Sequence, residues 1–272
     1  MATAPTQRTY DVIPRKLHPS LHRPLFATGA APTLATSNVD LRNRLPPVWD
    51  QGSLGACTAF ASCAAYAFDD PALNPSKLFL YFVERKLDGT IASDSGSTLD
   101  TSVRALTTYG VCSENTFPYN PANFKETPAQ FCFTEASTHK LLTAKNVRPT
   151  LDEMLACLES GFPFLFSIQI FPSFESSATA MSGYVPMPGP GEKPLGSHAL
   201  LAAGFDLGSR CFLVRNSWGS LTWSPAMQGY CWIPFDYLTN PTLLTSDLWV
   251  LQKVSPDSNP PLPTGPGCCA VM

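Results

Sequence analysis

The sequence predicts an α+β fold, a helical half first and a β-rich half second, as one large domain or two lobes. Three observations carry this. Up to about residue 135 the apolar runs have helix length and helix punctuation. Beyond that point they shorten, become rich in β-favouring residues and are separated by turn signals. The chain is 272 residues long, 44% hydrophobic and 14% charged, which suits an ordered globular protein with a sizeable core.

In order along the chain, residues 1–38 carry Pro5, Pro14, Pro19, Pro24 and Pro32 and show no helical or strand period. They read either as a strap or tail lying on the body, or as a short inhibitory segment occupying a cleft. The body spans residues 39–253. Its first helix covers Cys57 and Thr58 to Phe68, rich in Ala, and stops at Asp69-Asp70-Pro71, since proline does not continue a helix. Ser76 caps a second helix through Phe79, Tyr81 and Phe82 to Leu87, closed at Asp88-Gly89; its aromatic stripe reads as core. After a polar loop at Ser93 to Ser97, a third helix runs from about Thr98 to Tyr109 and ends at Gly110. Leu141 to Val147 reads as a strand. Thr150-Leu151-Asp152-Glu153 reads as a capping box for a short helix to Glu159. Phe162 to Phe171 is a β-favouring run. Residues 172–197 form a long loop rich in Ser, Gly, Met and Pro that leads into His198 and so rims the cleft. Strands at 198–205, 211–216, 229–233 and 246–252 complete the second half. Residues 254–272 are Pro- and Gly-rich and read as a linker-like tail.

The chemistry gathers at Asp50-Gln51-Gly52-Ser53-Leu54-Gly55-Ala56-Cys57, a Gly-rich turn that delivers a cysteine to a helix start. Unpaired backbone N–H groups and the positive end of the helix dipole favour a thiolate there, so a lowered thiol pKa is expected. Gln51 precedes Cys57 closely enough for its amide to join the Cys57 N–H as an oxyanion hole. A thiol nucleophile needs a base, and the base needs an orienting partner. Of the four histidines, His18 and His22 lie in the Pro-rich segment and His139 in a polar stretch; only His198 opens an apolar strand. The next strand ends in Asn216-Ser217-Trp218-Gly219, so neighbouring strands present His198 and Asn216 side by side.

QGSLGAC, GSHALLAAGFD and RNSWGS, in this order, resemble the papain-like (C1, cathepsin-like) cysteine peptidases, and in style their bacterial and viral members. The His lies 198 − 57 = 141 residues after the Cys and the Asn 216 − 57 = 159. The resemblance implies a papain-like two-lobe fold, with Cys57 as nucleophile, His198 as base, Asn216 as its orienter and Gln51 as oxyanion donor. It also implies a substrate-binding set of Ser95, Gly96, Ser97, Ser197 and Trp218. The loop at 95–97 would line the cleft and pair with a substrate backbone, and Trp218 would shield the His–Asn hydrogen bond. An ordinary polar turn is the alternative at 95–97. Two departures stand out: Leu54 replaces a family cysteine, and Thr58 replaces the aromatic that follows the nucleophile. Thr58 is expected to change local packing without removing the chemistry.

The implied activity is hydrolysis of peptide bonds in protein or peptide substrates, as an endopeptidase, with no cofactor. The alternatives are a catalytically silent peptide-binding protein and a thiol acyltransferase. A net charge of −3 gives no electrostatic case for nucleic acid, and the absence of C-x-x-C pairs argues against a metal site. Nothing at the N-terminus has the apolar core of a secretory signal, so a cytoplasmic location with reduced thiols is expected. The chain closes on Cys268-Cys269-Ala270-Val271-Met272; Cys269 fits the C-a-a-X prenylation pattern and Cys268 a second lipid, which would anchor the protein to a membrane.

Overall fold

The structure is a computed structural model that describes Val12 and residues 35–252. Its elements run β1 (Asn38–Asp40), α1 (Cys57–Asp69), α2 (Lys77–Asp88), α3 (Leu99–Thr108), α4 (Gln130–Ala136), β2 (Thr143–Val147), α5 (Leu151–Glu159), β3 (Phe164–Ile170), α6 (Ser177–Ser182), β4 (Gly196–Asp206), β5 (Cys211–Arg215), β6 (Tyr230–Pro234), α7 (Phe235–Thr239) and β7 (Leu248–Gln252). Apart from β1, which joins the sheet at β4, the long helices precede the strands, as expected of the α+β class.

α1 is mostly apolar and enclosed on every side: every residue from Cys57 to Phe68 is buried. A helix of that kind belongs inside a protein. α2 begins where Ser76 Oγ accepts the Phe79 N–H at 3.1 Å and ends on Gly89 in the left-handed region, with φ 73°. α3 begins where Thr98 Oγ1 accepts the Thr101 N–H at 3.0 Å. The three helices pack around Phe79, Tyr81, Leu99 and Leu106 as one core.

The strands form a single antiparallel sheet in the order β2-β7-β3-β4-β5-β6, with β1 pairing on β4. β4 is its spine. Both faces of β4 are covered, which is why its sequence is almost unbroken apolar. Ala199 and Leu201 point into the helical core, while Leu200 and Ala202 point into a second core with Phe164, Phe166, Phe212 and Trp218. These two cores are the two lobes. Gly204 sits where β1 crosses: a Cβ there would stand 2.1 Å from the Val39 carbonyl oxygen.

Two local expectations need correction. Thr150 caps nothing with its side chain, and Glu153 pairs with Arg148 at 3.1 Å instead, so no capping box forms. The long loop at 172–197 holds the short helix α6, begun by Ser176, and its last two residues already belong to β4. Glu192 pins that loop by accepting the Ser173 and Gly189 N–H groups, both at 2.7 Å. Among the described residues no helix is long and apolar enough to cross a membrane.

Candidate active site

Cys57 is the first residue of α1, preceded by Ala56, which offers no side-chain cap. The first-turn N–H groups therefore keep no competing side-chain acceptor. The thiol lies against the Ala199 backbone N–H, so the strand residue next to His198 touches Cys57. Both Cys57 and His198 are fully buried. Burial pushes the Cys57 thiol up to about 12, and the N–H groups of Ala199, Thr58 and Cys57 only partly oppose it. The expectation of a lowered thiol pKa is thus reversed in this closed arrangement: desolvation outweighs the helix end.

His198 stands on β4 and Asn216 directly after β5. The pairing of Leu201 with Arg215 places Asn216 beside Leu200, two residues from His198 and on the same face. His198 Nε2 meets Asn216 Oδ1 at 2.8 Å. That oxygen also accepts the Ser217 N–H at 2.8 Å, which marks it as the carbonyl oxygen. His198 Nε2 must then be the donor, leaving Nδ1 as the basic nitrogen of the neutral ring. The Trp218 ring stacks on the imidazole, with centroids 4.9 Å apart and planes 29° apart. Trp218 in turn meets the edges of Phe174 and Trp223.

Gln51 is held from four sides. Its N–H donates to Ser217 O at 2.9 Å, its carbonyl accepts Tyr119 Oη at 2.8 Å, its Oε1 accepts the Ser217 hydroxyl, and its Nε2 donates to Leu54 O at 2.9 Å. One Nε2 hydrogen is left for an oxyanion. Gly219 N–H donates to Trp49 O at 3.1 Å, and the buried Arg215 guanidinium donates to the Pro46 and Pro47 carbonyls. The turn before Cys57 and the turn after Asn216 are therefore fastened to one another.

The loop at 95–97 is tied down by its own hydrogen bonds. Its groups hold the loop together: Ser97 Oγ donates to Asp88 at 2.6 Å, Ser95 Oγ to Thr90 Oγ1 at 2.7 Å, and Gly96 N–H to Tyr81 Oη at 3.1 Å. Trp218 is 1% exposed and lies over the imidazole, the shielding position expected of it. Ser197 is buried, and its carbonyl accepts the Val12 N–H at 3.4 Å. Val12 itself is buried among Thr98, Leu99, Ser246, Asp247 and Trp249.

Four residues escaped sequence reasoning. Asp94 accepts the Gly55 N–H at 3.1 Å and the Tyr81 hydroxyl, tying the 93–97 loop to the turn before Cys57. Ser217 and Tyr119 hold Gln51, and Glu84 lies behind Thr58. Of these Ser217, inside the RNSWGS stretch, had the clearest sequence signal. The seven described cysteines are all unpaired and buried, and no group among the described residues has a metal-binding arrangement. Cys268 and Cys269 lie outside the described residues.

Comparison with known proteins agrees with this geometry. A family model described as papain family cysteine protease matches residues 35–237. An uncharacterized peptidase C1-like protein of Acanthamoeba polyphaga mimivirus is 36% identical over 220 residues, covering 76% of this chain and 70% of that one. The crystal structure of xylellain, a cysteine protease from Xylella fastidiosa, superposes with a TM-score of 0.82 at 28% identity, covering 94% of this chain and all of that one. The fold is shared with a digestive procathepsin L 3 from Tenebrio molitor, at TM-score 0.65, 16% identity, and coverage of 91% of this chain and 76% of that one. The chain belongs to the papain family of cysteine peptidases, enzymes that hydrolyse peptide bonds through a cysteine.

Proposed function

We propose that the enzyme is an endopeptidase working through Cys57, His198, Asn216 and Gln51. The observation that carries this is the Asn216-fixed tautomer of His198, which leaves Nδ1 basic on the strand that touches the Cys57 thiol. Cys57 Sγ attacks the scissile carbonyl carbon as its proton passes to Nδ1. A standing thiolate is not needed, which suits a thiol that burial keeps protonated. The oxyanion is met by the Cys57 N–H and the remaining Gln51 Nε2 hydrogen. His198 returns the proton to the leaving amine, then takes one from water, and the hydroxide splits the thioester.

Hydrolysis of an internally quenched peptide, blocked by an epoxide-type thiol inhibitor and absent in Cys57→Ala, is the expected result. Unchanged turnover in Cys57→Ala would overturn the assignment; binding without turnover in the intact protein would leave a silent peptide binder, and product appearing only with an added amine acceptor would indicate a transferase.

Two further proposals concern the chain ends. Residues 1–38 restrain the enzyme, a reading supported by Val12 lying beside the carbonyl that precedes His198. The Cys269-Ala270-Val271-Met272 ending takes a farnesyl group, with Cys268 as a second lipid site, and so holds a cytoplasmic enzyme on a membrane. Labelled isoprenoid in eukaryotic cells should enter the natural sequence and not Cys269→Ser.

A further inference from the structure

Glu84 is a carboxyl the mechanism above does not use. It lies on α2, is fully buried, and faces α1 at the position after the nucleophile. Its Oε2 accepts the Thr58 hydroxyl at 2.7 Å. Its Oε1 makes no hydrogen bond of ordinary geometry, although the Ser102 hydroxyl lies close to the carboxyl. Next to it on α3, Ser102 donates to Ser62 of α1 at 2.8 Å. Thr58, Ser62 and Ser102 are each fully buried as well. Four polar side chains are thus enclosed where three helices meet, in a core otherwise built of Ala, Leu and aromatic residues. Packing alone would favour apolar groups there, because a buried carboxyl loses its hydration. Thr58, moreover, stands where the family pattern has an aromatic.

The charged and titratable groups around this carboxyl are few. α1 contributes the Cys57 and Cys63 thiols, α2 contributes Arg85 and Asp88, and α3 contributes the Ser102 hydroxyl. Arg85 turns its guanidinium to the carbonyls of Ile91 and Phe124, so it makes no ion pair with Glu84.

We propose that Glu84 is a positioning residue of the active site: as a neutral carboxyl it holds Thr58 and the end of α1 that carries Cys57, and as a carboxylate it opposes the reaction. The inference rests on Cys57 being the nucleophile. Burial pushes the Glu84 carboxyl up to about 8, with Ser102, Thr58 and Arg85 holding it down and Asp88 adding to the rise. Below that pH the carboxyl is neutral; the proton belongs on Oε1, since Oε2 accepts from Thr58. Above it, a negative charge appears behind α1. That charge raises the Cys57 thiol further and makes it a poorer proton donor to His198. The sign is therefore a loss of activity on the alkaline side.

The test is the pH profile of kcat/KM for the full chain on a quenched peptide, from about pH 5 to about pH 10. Glu84→Gln keeps the shape and cannot ionise, so its alkaline midpoint should move upward by at least half a unit from a wild-type value near 8. Thr58→Val removes a bond that favours the carboxylate, so its alkaline midpoint should also rise, while Thr58→Ser should follow wild type. Glu84→Gln and wild-type profiles that superimpose after scaling, or a uniform loss of rate at every pH, would overturn the proposal. If Glu84→Gln does not fold, Thr58→Val superimposing on Thr58→Ser overturns it equally. Turnover surviving in Cys57→Ala would defeat the nucleophile assignment itself, an outcome separate from the shape of the profile.

Discussion

In the proposed mechanism Asn216 acts only through the ring it holds. Removing its side chain frees His198 to rotate and to exchange tautomers, with the thiol itself unaltered. Asn216→Ala should lower kcat by about 10²-fold with little change in KM, the cost expected from misplacing a reacting group. Steady-state kinetics checks this, and a change confined to KM would contradict it. Glu84 makes a second prediction, on stability. Its folded pKa, near 8, lies above the unfolded value of about 4.5, so the folded state binds the extra proton. The contribution is fully present below pH 4.5 and is lost as pH rises through 8, at roughly 1.4 kcal/mol per pH unit. Denaturant melts of Glu84→Gln should show that slope flattened across the same window. The triad residues were legible because they sit in short, ordered stretches of sequence. Glu84, Asp94 and Tyr119 were not, because their partners lie 26, 39 and 68 residues away and only folding joins them.

At the scale of elements, local chemistry and tertiary packing can be separated by substitution. Ser76 caps α2 and also donates to the Phe117 carbonyl, so Ser76→Ala should cost about 1–2 kcal/mol. Thermal unfolding would register this as a drop of roughly 2–8 °C. Gly204→Ala strikes a contact that no local rule contains. Its Cβ would meet the Val39 backbone, β1 would have to move, and the cost should reach about 1–3 kcal/mol. A fully stable Gly204→Ala protein would contradict that close approach. The same division explains which elements could be read from the sequence. α1, α2 and α3 announce themselves by caps, Ala content and terminating Pro or Gly. α4, α6 and α7 are seven, six and five residues long and too short for a period to show. The Thr150 box misled because Glu153 had a better partner in Arg148.

At the scale of the whole molecule, the sheet and the three helices enclose two cores, and the reacting groups come from both sides: Cys57 from the helices, His198 and Asn216 from the strands. The division into lobes was readable because the character of the sequence changes near residue 135. The fastening between lobes was not, since Arg215 reaches back 169 residues to Pro46. If residues 1–38 restrain the enzyme, deleting them should speed labelling of Cys57 by an epoxide inhibitor, at least several-fold over the full chain. Equal labelling rates would reduce that segment to a strap.

The burial of all seven described thiols has a consequence for counting. With Cys268 and Cys269 replaced by Ser, a bulky water-soluble disulfide reagent meets no thiol on the surface of the described body. Any fast equivalent of released chromophore then reports a molecule whose cleft has opened, and its limiting stoichiometry is one per chain, from Cys57. The other six equivalents should appear only with denaturant, so the protein carries its own gauge of how many molecules in a preparation are competent to react.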